Sequence, residues 1–325
     1  MAARLYYLLV FLFWLAAMTW LIVEKVMPPM LGGNPPDYRS ALAEPEEEPD
    51  CWKITWNGQS IGLVVTQIVD RAPRGREMRS VVRFEDLPLE SMMSELLGAF
   101  ASFAGPLLGT TPDYKIQAVL ATRLAFDENR RLTEFSTVLD LAETPGFLTV
   151  SGRVTDGRRL AVVARFAGDG AGSGTNGAKR ELRHELDLPP NALVGDSFTP
   201  RGELKGLQVG QSWTIPVYRA FPPNSPVQIV EAKVERHDII LWEGNDVETM
   251  LVVYRTDAGS GLRAASHATA REWVRPDGTV LRQELAFSGL TLRFERQMRG
   301  PLDVHRAYLD VERHPRYWID VLSTH

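Results

Sequence analysis

The sequence contains a single cysteine, Cys51, in 325 residues. One cysteine excludes an intramolecular disulfide framework and any zinc site built from several cysteines. The chain also lacks an excess of positive charge, because 36 Lys and Arg are opposed by 41 Asp and Glu, a net charge of −5. This balance disfavours a nucleic-acid-binding protein, which normally carries a basic stripe. With 44% apolar and 24% charged residues, the composition is that of a globular protein rather than a disordered chain or one with many membrane spans.

Catalytic signatures are scarce. Residues 58–62 match the G-x-S-x-G nucleophile elbow, but an elbow needs a helix after the serine, and the β-branched residues after Ser60 predict a strand. Cys51 is predicted to lie before the first strand, and its neighbours Glu48 and Asp50 are anionic, which does not favour a thiolate. An enzyme would need distant His and Asp residues to organise Ser60 or Cys51. We therefore expect no catalytic residue, no cofactor and no enzymatic activity.

The histidines and turn aspartates predict no metal site. No pair of histidines forms the His-x-x-x-His frame of a zinc protease, and Asp156, Asp246 and Asp277 lie in turns without the frame of a calcium loop. The six histidines are scattered along the chain, at His184, His237, His267, His305, His314 and His325.

A long apolar run occurs at the N-terminus, where residues 5–23 carry no charge. A helix of this length is about 28 Å long, close to the thickness of the hydrocarbon core of a bilayer. No small-residue cleavage site follows, so the run predicts a retained single-pass transmembrane anchor. Arg4 and the terminal amine precede the run and favour a cytoplasmic N-terminus. We expect an inner (cytoplasmic) membrane protein with the bulk of the chain extracytoplasmic.

The remaining chain divides by composition. Residues 24–50 are rich in proline and glutamate and predict an extended stalk. Residues 168–180 are rich in glycine and predict a flexible linker. The predicted organisation is a cytoplasmic tail (1–4), the anchor (5–23), the stalk (24–50), a first β domain (51–167), the linker (168–180), a second β domain (181–300) and a C-terminal tail (301–325).

Alternating apolar residues predict about fourteen strands after residue 50. Hairpin turns are indicated by Asn57-Gly58 and Asp277-Gly278, among others. Residues 228–237 and 239–243 are predicted as two separate strands, and residues 302–312 could form three helical turns. The predicted fold class is mainly β, with two antiparallel, curved, half-barrel-like sheets, one in each domain, and one amphipathic helix.

That helix is predicted over residues 87–108, where apolar residues recur at spacings of three and four. It could fill a core, or it could line a hydrophobic cavity in which flexible methionines accept an apolar ligand. Its apolar face consists of Met92, Met93, Leu96, Leu97, Phe100 and Phe103.

A cluster of arginines surrounds Pro73. The cluster favours a solvated hairpin tip, although it could also face anionic lipid headgroups or an acidic partner. Its members are Arg71, Arg74, Arg76, Arg79 and Arg83.

Three short motifs resemble one family. They lie at residues 52–62, 207–213 and 272–282, and read WKITWNGQSIG, LQVGQSW and EWVRPDGTVLR. This succession is similar to the β-rich extracytoplasmic region that precedes transglutaminase-like domains in bacterial membrane-anchored proteins, and the layout is similar to the half-barrels of periplasmic lipoprotein carriers. Only 25 residues follow Gly300, so the catalytic Cys, His and Asp of that family have no counterpart here. The resemblance implies a stand-alone accessory domain.

The sequence therefore predicts a non-catalytic binding, accessory or scaffold module of the bacterial cell envelope. Its expected partners are the membrane, through residues 5–23, and an envelope protein, and no nucleic acid. The alternative is a carrier or sensor that holds a lipid or another apolar ligand in a half-barrel cavity.

Overall fold

A computed structural model describes residues 2–21, 36, 42, 48–71, 75–88, 115–141, 144–167, 181–189, 191–196, 198–220, 225–256, 268–287, 290–298, 306, 308–310 and 313–318. The chain is mainly β, as predicted. In order, its elements are α1 (Ala2–Leu21), β1 (Asp50–Trp56), β2 (Gln59–Asp70), β3 (Arg76–Pro88), β4 (Lys115–Phe126), β5 (Leu132–Leu141), β6 (Thr144–Thr155), β7 (Arg159–Phe166), β8 (Glu181–Asp187), β9 (Leu193–Gly195), β10 (Ser212–Arg219), β11 (Gln228–Trp242), β12 (Asn245–Thr256), β13 (Ala268–Val274), β14 (Val280–Phe287), β15 (Leu290–Gln297) and α2 (Pro315–Trp318).

All fifteen strands belong to one sheet, in the order β8-β7-β6-β5-β4-β3-β2-β1-β15-β14-β13-β12-β11-β10-β9. The two predicted sheets are therefore one, because β1 pairs with β15 along its whole length, from Cys51 opposite Gln297 to Trp56 opposite Leu292. The strand pairs are antiparallel except for β9 and β10, which run parallel.

Short turns explain most of the sequential order. At Asn57-Gly58 both residues have positive φ, 47° and 84°, which is the backbone of the tight turn that matches the twist of a hairpin. In Asp156-Gly157 and in Glu243-Gly244 both residues also have positive φ. These turns join β1 to β2, β6 to β7 and β11 to β12.

The sheet is strongly curved, and the connection between its edge strands requires this. A flat sheet of fifteen strands would separate β8 from β9 by roughly 65 Å. The chain passes from Asp187 at the end of β8 to Leu193 at the start of β9, a step of six residues that spans at most about 20 Å. The two edges must therefore approach each other. They are the two ends of the strand order, so the sheet is unclosed.

Curling the sheet gives it an inner face that holds the main core. The core combines residues from both halves, and the rings of Phe135 on β5 and Tyr218 on β10 lie 6.3 Å apart. The bulkiest fully buried side chains include Trp52, Ile54, Leu148, Leu160, Leu204, Tyr218, Leu281, Leu292 and Phe294.

One strand replaces two of the predicted ones. The predicted strands 228–237 and 239–243 are the single strand β11, Gln228–Trp242, and Glu243 lies in the turn that follows. The strand has a register irregularity between Val234 and Arg236. Beyond this irregularity the β11–β12 hairpin packs on the outer face of the sheet, where Trp242 Nε1 donates to the carbonyl of Arg296 at 2.8 Å. A small second core fills that contact, formed by Ile240, Leu251, Val253, Trp273 and Leu281.

The N-terminal helix α1 bears exposed apolar side chains along its length, among them Leu8, Phe11 and Trp20. Among the described residues, no helix is both long and apolar enough to cross a membrane. The predicted span ended at residue 23, and residues 22 and 23 lie outside the described residues.

Several predicted segments fall largely or wholly outside the described residues. They include most of the stalk, the whole Gly-rich linker and most of the tail helix of residues 302–312. The predicted helix of residues 87–108 does so too, except for Leu87 and Pro88, which are the last two residues of β3.

Candidate functional site

A row of polar residues crosses the inner face of β1–β5. The register places Asp50, Thr66, Ser80, Thr122 and Thr137 side by side on consecutive strands. The four hydroxyl residues are buried. We call this row the inner belt. Buried hydroxyls need hydrogen-bond partners, and Thr122 and Thr137 provide one for each other at 3.2 Å.

Another partner comes from residues 198–207, which cross the inside of the curved sheet and are called the strap below. Thr199 Oγ1 hydrogen-bonds Ser80 Oγ and Asp196 Oδ2, both at 2.9 Å. Phe198 packs its ring against Phe84, with 5.5 Å between the centroids. The belt is polar on the inside because a strap with its own polar groups lies there.

The strap also contacts the second half of the sheet through Arg201. Tyr254 Oη donates to Glu272 Oε2 at 2.6 Å, and Arg201 Nη1 donates to Tyr254 Oη at 3.0 Å. The Arg201 guanidinium lies 3.5 Å from Glu272 Oε1 and stacks over the ring of Tyr254. Since the Glu272 side chain is only 3% exposed, this cation compensates a buried carboxylate.

A third contact of the strap lies at the seam between β1 and β15. Arg296 Nη1 donates to the carbonyl of Gly202 at 2.9 Å. The same guanidinium pairs with Asp50 and lies over the ring of Trp52. Burial raises the pKa of Asp50 although Arg296 acts in the opposite direction. The strap thus holds both halves of the sheet from inside.

A complementary row lies on the outer face of the same five strands, one residue away from the inner belt. It consists of small apolar residues that the register again places side by side, and each is at most 7% exposed. We call it the outer row. Its members are Cys51, Val65, Val81, Ala121 and Val138.

The C-terminal segment, residues 308–310 and 313–318, covers the outer row. Leu309, Tyr317 and Trp318 join the row in one buried apolar cluster. Tyr317 Oη and Arg316 Nη2 both donate to Asp140 Oδ2 at 2.7 Å. The cluster therefore has a carboxylate anchor on β5.

Two arginines of the predicted cluster border the outer row and hold aromatic residues of this segment. Arg83 Nη1 donates to Tyr308 Oη at 2.9 Å and its guanidinium lies over that ring. The guanidinium of Arg79 lies 5.5 Å from the ring centroid of Trp318. The outer row is thus an apolar surface bordered by cations.

The other described arginines of the cluster pair with acidic residues. Arg71 lies 2.6 Å from Glu134, and Arg76 pairs with Asp70. Arg79 also donates to Glu77, whose second oxygen accepts from Arg123. Burial would raise the pKa of Glu77, but the hydrogen bonds from Arg123 and Arg79 outweigh it and hold that pKa below its usual value. Arg74 lies outside the described residues.

The two nucleophile candidates are far from catalytic surroundings. Ser60 is exposed and belongs to β2, so a strand follows it, as the sequence predicts. Cys51 lies inside β1, and the prediction that it precedes the first strand was wrong. Burial raises the pKa of its thiol to about 11. A protonated, buried thiol is a poor nucleophile.

The structure describes three of the six histidines, His184, His237 and His314. Among the described part of the chain, no three His, Cys, Asp or Glu side chains could hold a metal ion. His184 and His237 are exposed on strands, and His314 stacks on Tyr317. The apolar face at Met92, Met93, Leu96, Leu97, Phe100 and Phe103 lies outside the described residues.

Comparisons with known proteins give only a weak structural likeness. No protein-family model matches the chain, and no curated protein matches it. A crystal structure of a β-barrel-like protein, of the domain of unknown function DUF1849 from Brucella abortus, is similar over 78% of this chain and 98% of that chain, with a TM-score of 0.40 and 9% identity. None of these comparisons provides a link to transglutaminase-associated proteins.

Proposed function

We propose that this chain is a membrane-tethered, extracytoplasmic binding module that acts without catalysis, and that its outer row is the binding surface. The observation that carries the proposal is the position of this row. Val65, Val81 and Ala121 are apolar and fully covered on the face of the sheet that points away from the main core. The occupant of this apolar surface here is the chain's own C-terminal segment, and the surface becomes a protein-binding site wherever that segment leaves it exposed.

The tether is supported by the contrast between α1 and the sheet. Large apolar side chains of α1, including Leu9, Phe13 and Trp14, are exposed, and none of them belongs to a described core cluster. A helix with apolar residues all round is stable only when lipid or protein surrounds it. The apolar run of residues 5–23 and the preceding Arg4 favour a single span with the N-terminus inside.

A fractionation experiment tests the tether. The full chain should remain in the membrane pellet after carbonate extraction, and a variant without residues 5–23 should be released. A protease added to spheroplasts should digest the sheet but not an N-terminal tag. Release of the full chain by carbonate, or protection of the sheet, would contradict this part of the proposal.

Purification tests the binding module. The full chain is extracted gently from its native membranes and weighed intact by mass spectrometry. A protein bound at a fixed ratio, and lost from a variant with Ala121→Asp in the outer row, supports the proposal. The matched control is Lys53→Asp, since Lys53 is exposed on the same outer face of β1. A bound lipid without any protein would favour the carrier alternative instead.

The carrier alternative remains a prediction. In the described part of the chain, the inner face is occupied by the strap, whose Phe198, Leu204 and Leu207 belong to the main core. This part of the inner face is therefore filled by side chains of the chain itself, and a carrier would need a cavity elsewhere.

A further inference from the structure

The C-terminal segment is attached to the sheet through side chains. The described backbone hydrogen bonds of the segment are internal, from His314 N to the carbonyl of Asp310 and from Tyr317 N to the carbonyl of His314. The strand order of the sheet does not include it. In this respect the segment resembles a bound peptide, which is recognised by a few anchoring side chains.

Each anchor is specific in chemistry. Asp140 is 7% exposed and accepts from a guanidinium and a phenol of the segment. The arginines that border the outer row favour aromatic rings through cation–π contacts, as Arg79 does with Trp318. The same segment of a second copy of the chain would make the same contacts with Asp140, Arg79 and the outer row. It is the one partner whose contacts with this surface can be read directly from the described residues.

We propose that the outer row is an exchangeable docking surface, and that its occupant in trans is the C-terminal segment of a second copy of this chain. The inference rests on the proposed binding function and names the partner. Exchange of an identical segment replaces every lost contact with the same contact, which makes it a low-cost route to a dimer. As far as residues 308–310 and 313–318 are concerned, no backbone ladder has to break for the segment to leave.

Complementary full-length variants test the exchange. The acceptor carries Tyr317→Ala and Trp318→Ala, so that its outer row is intact but its own segment lacks anchors. The donor carries Asp140→Ala and Cys51→Ser, so that its segment is intact but its row lacks the carboxylate. The control donor carries Tyr317→Ala and Trp318→Ala in addition.

The single cysteine serves as the reporter, since Cys51 belongs to the outer row and is absent from both donors. Labelling of the acceptor by a maleimide measures how far the row is uncovered. A second reporter is Ala121→Cys in a Cys51→Ser acceptor, because β4 is the strand that α2 contacts. Circular dichroism establishes that the sheet is folded. If the acceptor unfolds, the milder pair Arg316→Gln and Tyr317→Phe replaces the double alanine.

The expected result has two parts. Labelling in the acceptor rises about tenfold or more over the chain with an intact segment. A tenfold excess of donor is used because binding between two chains lacks the high effective concentration of a segment attached to the same chain. This excess should restore most of the protection of the cysteine from the maleimide, and the control donor should restore none. Unchanged labelling of both reporters in the acceptor, or equal labelling with donor and control donor, would overturn the proposal. Neither result alters the membrane test of the proposed function.

Discussion

The ion pair between Arg201 of the strap and the buried Glu272 should contribute measurably to the stability of the chain. Arg201→Met leaves the carboxylate of Glu272 without its cation. Removing one partner of a buried ion pair typically costs about 3–5 kcal/mol. Here Tyr254 still donates to the same carboxylate at 2.6 Å, and the Arg201 side chain is 31% exposed. We therefore expect a loss of about 2–3 kcal/mol in the free energy of unfolding.

Urea denaturation measures this loss, provided that the slope with urea concentration is unchanged. The matched control is Arg275→Met, because Arg275 pairs with Asp277 at a similar distance, 3.4 Å, but with both side chains about half exposed. Such a surface pair contributes about 0–1 kcal/mol. The double variant Arg201→Met with Glu272→Gln should be more stable than Arg201→Met alone, because the unpaired charge is removed.

Two results would refute the reasoning. If Arg201→Met and Arg275→Met lose the same free energy, the strap is not coupled to the inner face through this pair. If adding Glu272→Gln to Arg201→Met lowers the free energy of unfolding by as much as Glu272→Gln alone does in the unchanged chain, Glu272 and Arg201 act independently.

Four further predictions concern other parts of the chain. Gly152→Ala should cost about 1–3 kcal/mol in urea denaturation, because a Cβ there would lie 2.1 Å from the Phe135 ring, and Phe135→Leu in the same chain should recover part of the loss. The lowered pKa of Glu77 means that its contribution to stability is present above about pH 4.5 and lost as the pH falls further, so Glu77→Gln should make stability less sensitive to acid. At pH 8 the Cys51 thiolate should be about a hundredfold rarer than in an unfolded chain, and rapid maleimide labelling of the native chain would contradict its burial. For the carrier alternative, Met93→Glu should abolish uptake of a fluorescent fatty acid with the circular dichroism unchanged, and a loss of folding instead would assign that helix to the core.

Most strands could be predicted because their signals are local. Residues 160–166 are apolar except for Arg165 and include the β-branched Val162 and Val163, Asp156-Gly157 precedes them, and the structure has β7 at Arg159–Phe166. The prediction for β11 was wrong at Asp238, where it placed a break between two strands; the strand continues through this residue, and its register irregularity lies a few residues earlier, between Val234 and Arg236. An irregularity changes the phase of the alternation, and a changed phase in the sequence suggests a break between two strands.

Features that depend on distant residues could not be predicted. The pairing of β1 with β15 joins residues more than 200 positions apart, and no local pattern in either strand points to the other. Pro49 and Asp50 suggest a loop, so Cys51 was placed before the first strand. Arg201 and Glu272 carry no motif. The one signal is that alternation along β13 puts Glu272 on the same face as Ala270 and Val274, since a carboxylate on an apolar face points to a cation nearby.

The inner belt and the outer row explain why alternation gives the strands but not the direction in which they face. The usual interpretation turns apolar residues inward and hydroxyls outward. In the two rows on β2–β4 the reverse holds. Thr66, Ser80 and Thr122 lie on the inner face, on the side of the strap. Val65 and Val81 lie on the outer face, against the C-terminal segment. A strand residue responds to whatever covers it, and here both coverings are pieces of the same chain that lie outside the strand order of the sheet. The strap makes a single isolated bridge to it among the described residues, between Glu203 and Thr279. Thr66→Val and Val65→Thr exchanged together would keep the alternation and the composition of β2. The exchange should nevertheless destabilise the chain, because it presents a methyl group to the strap and a hydroxyl to an apolar cluster.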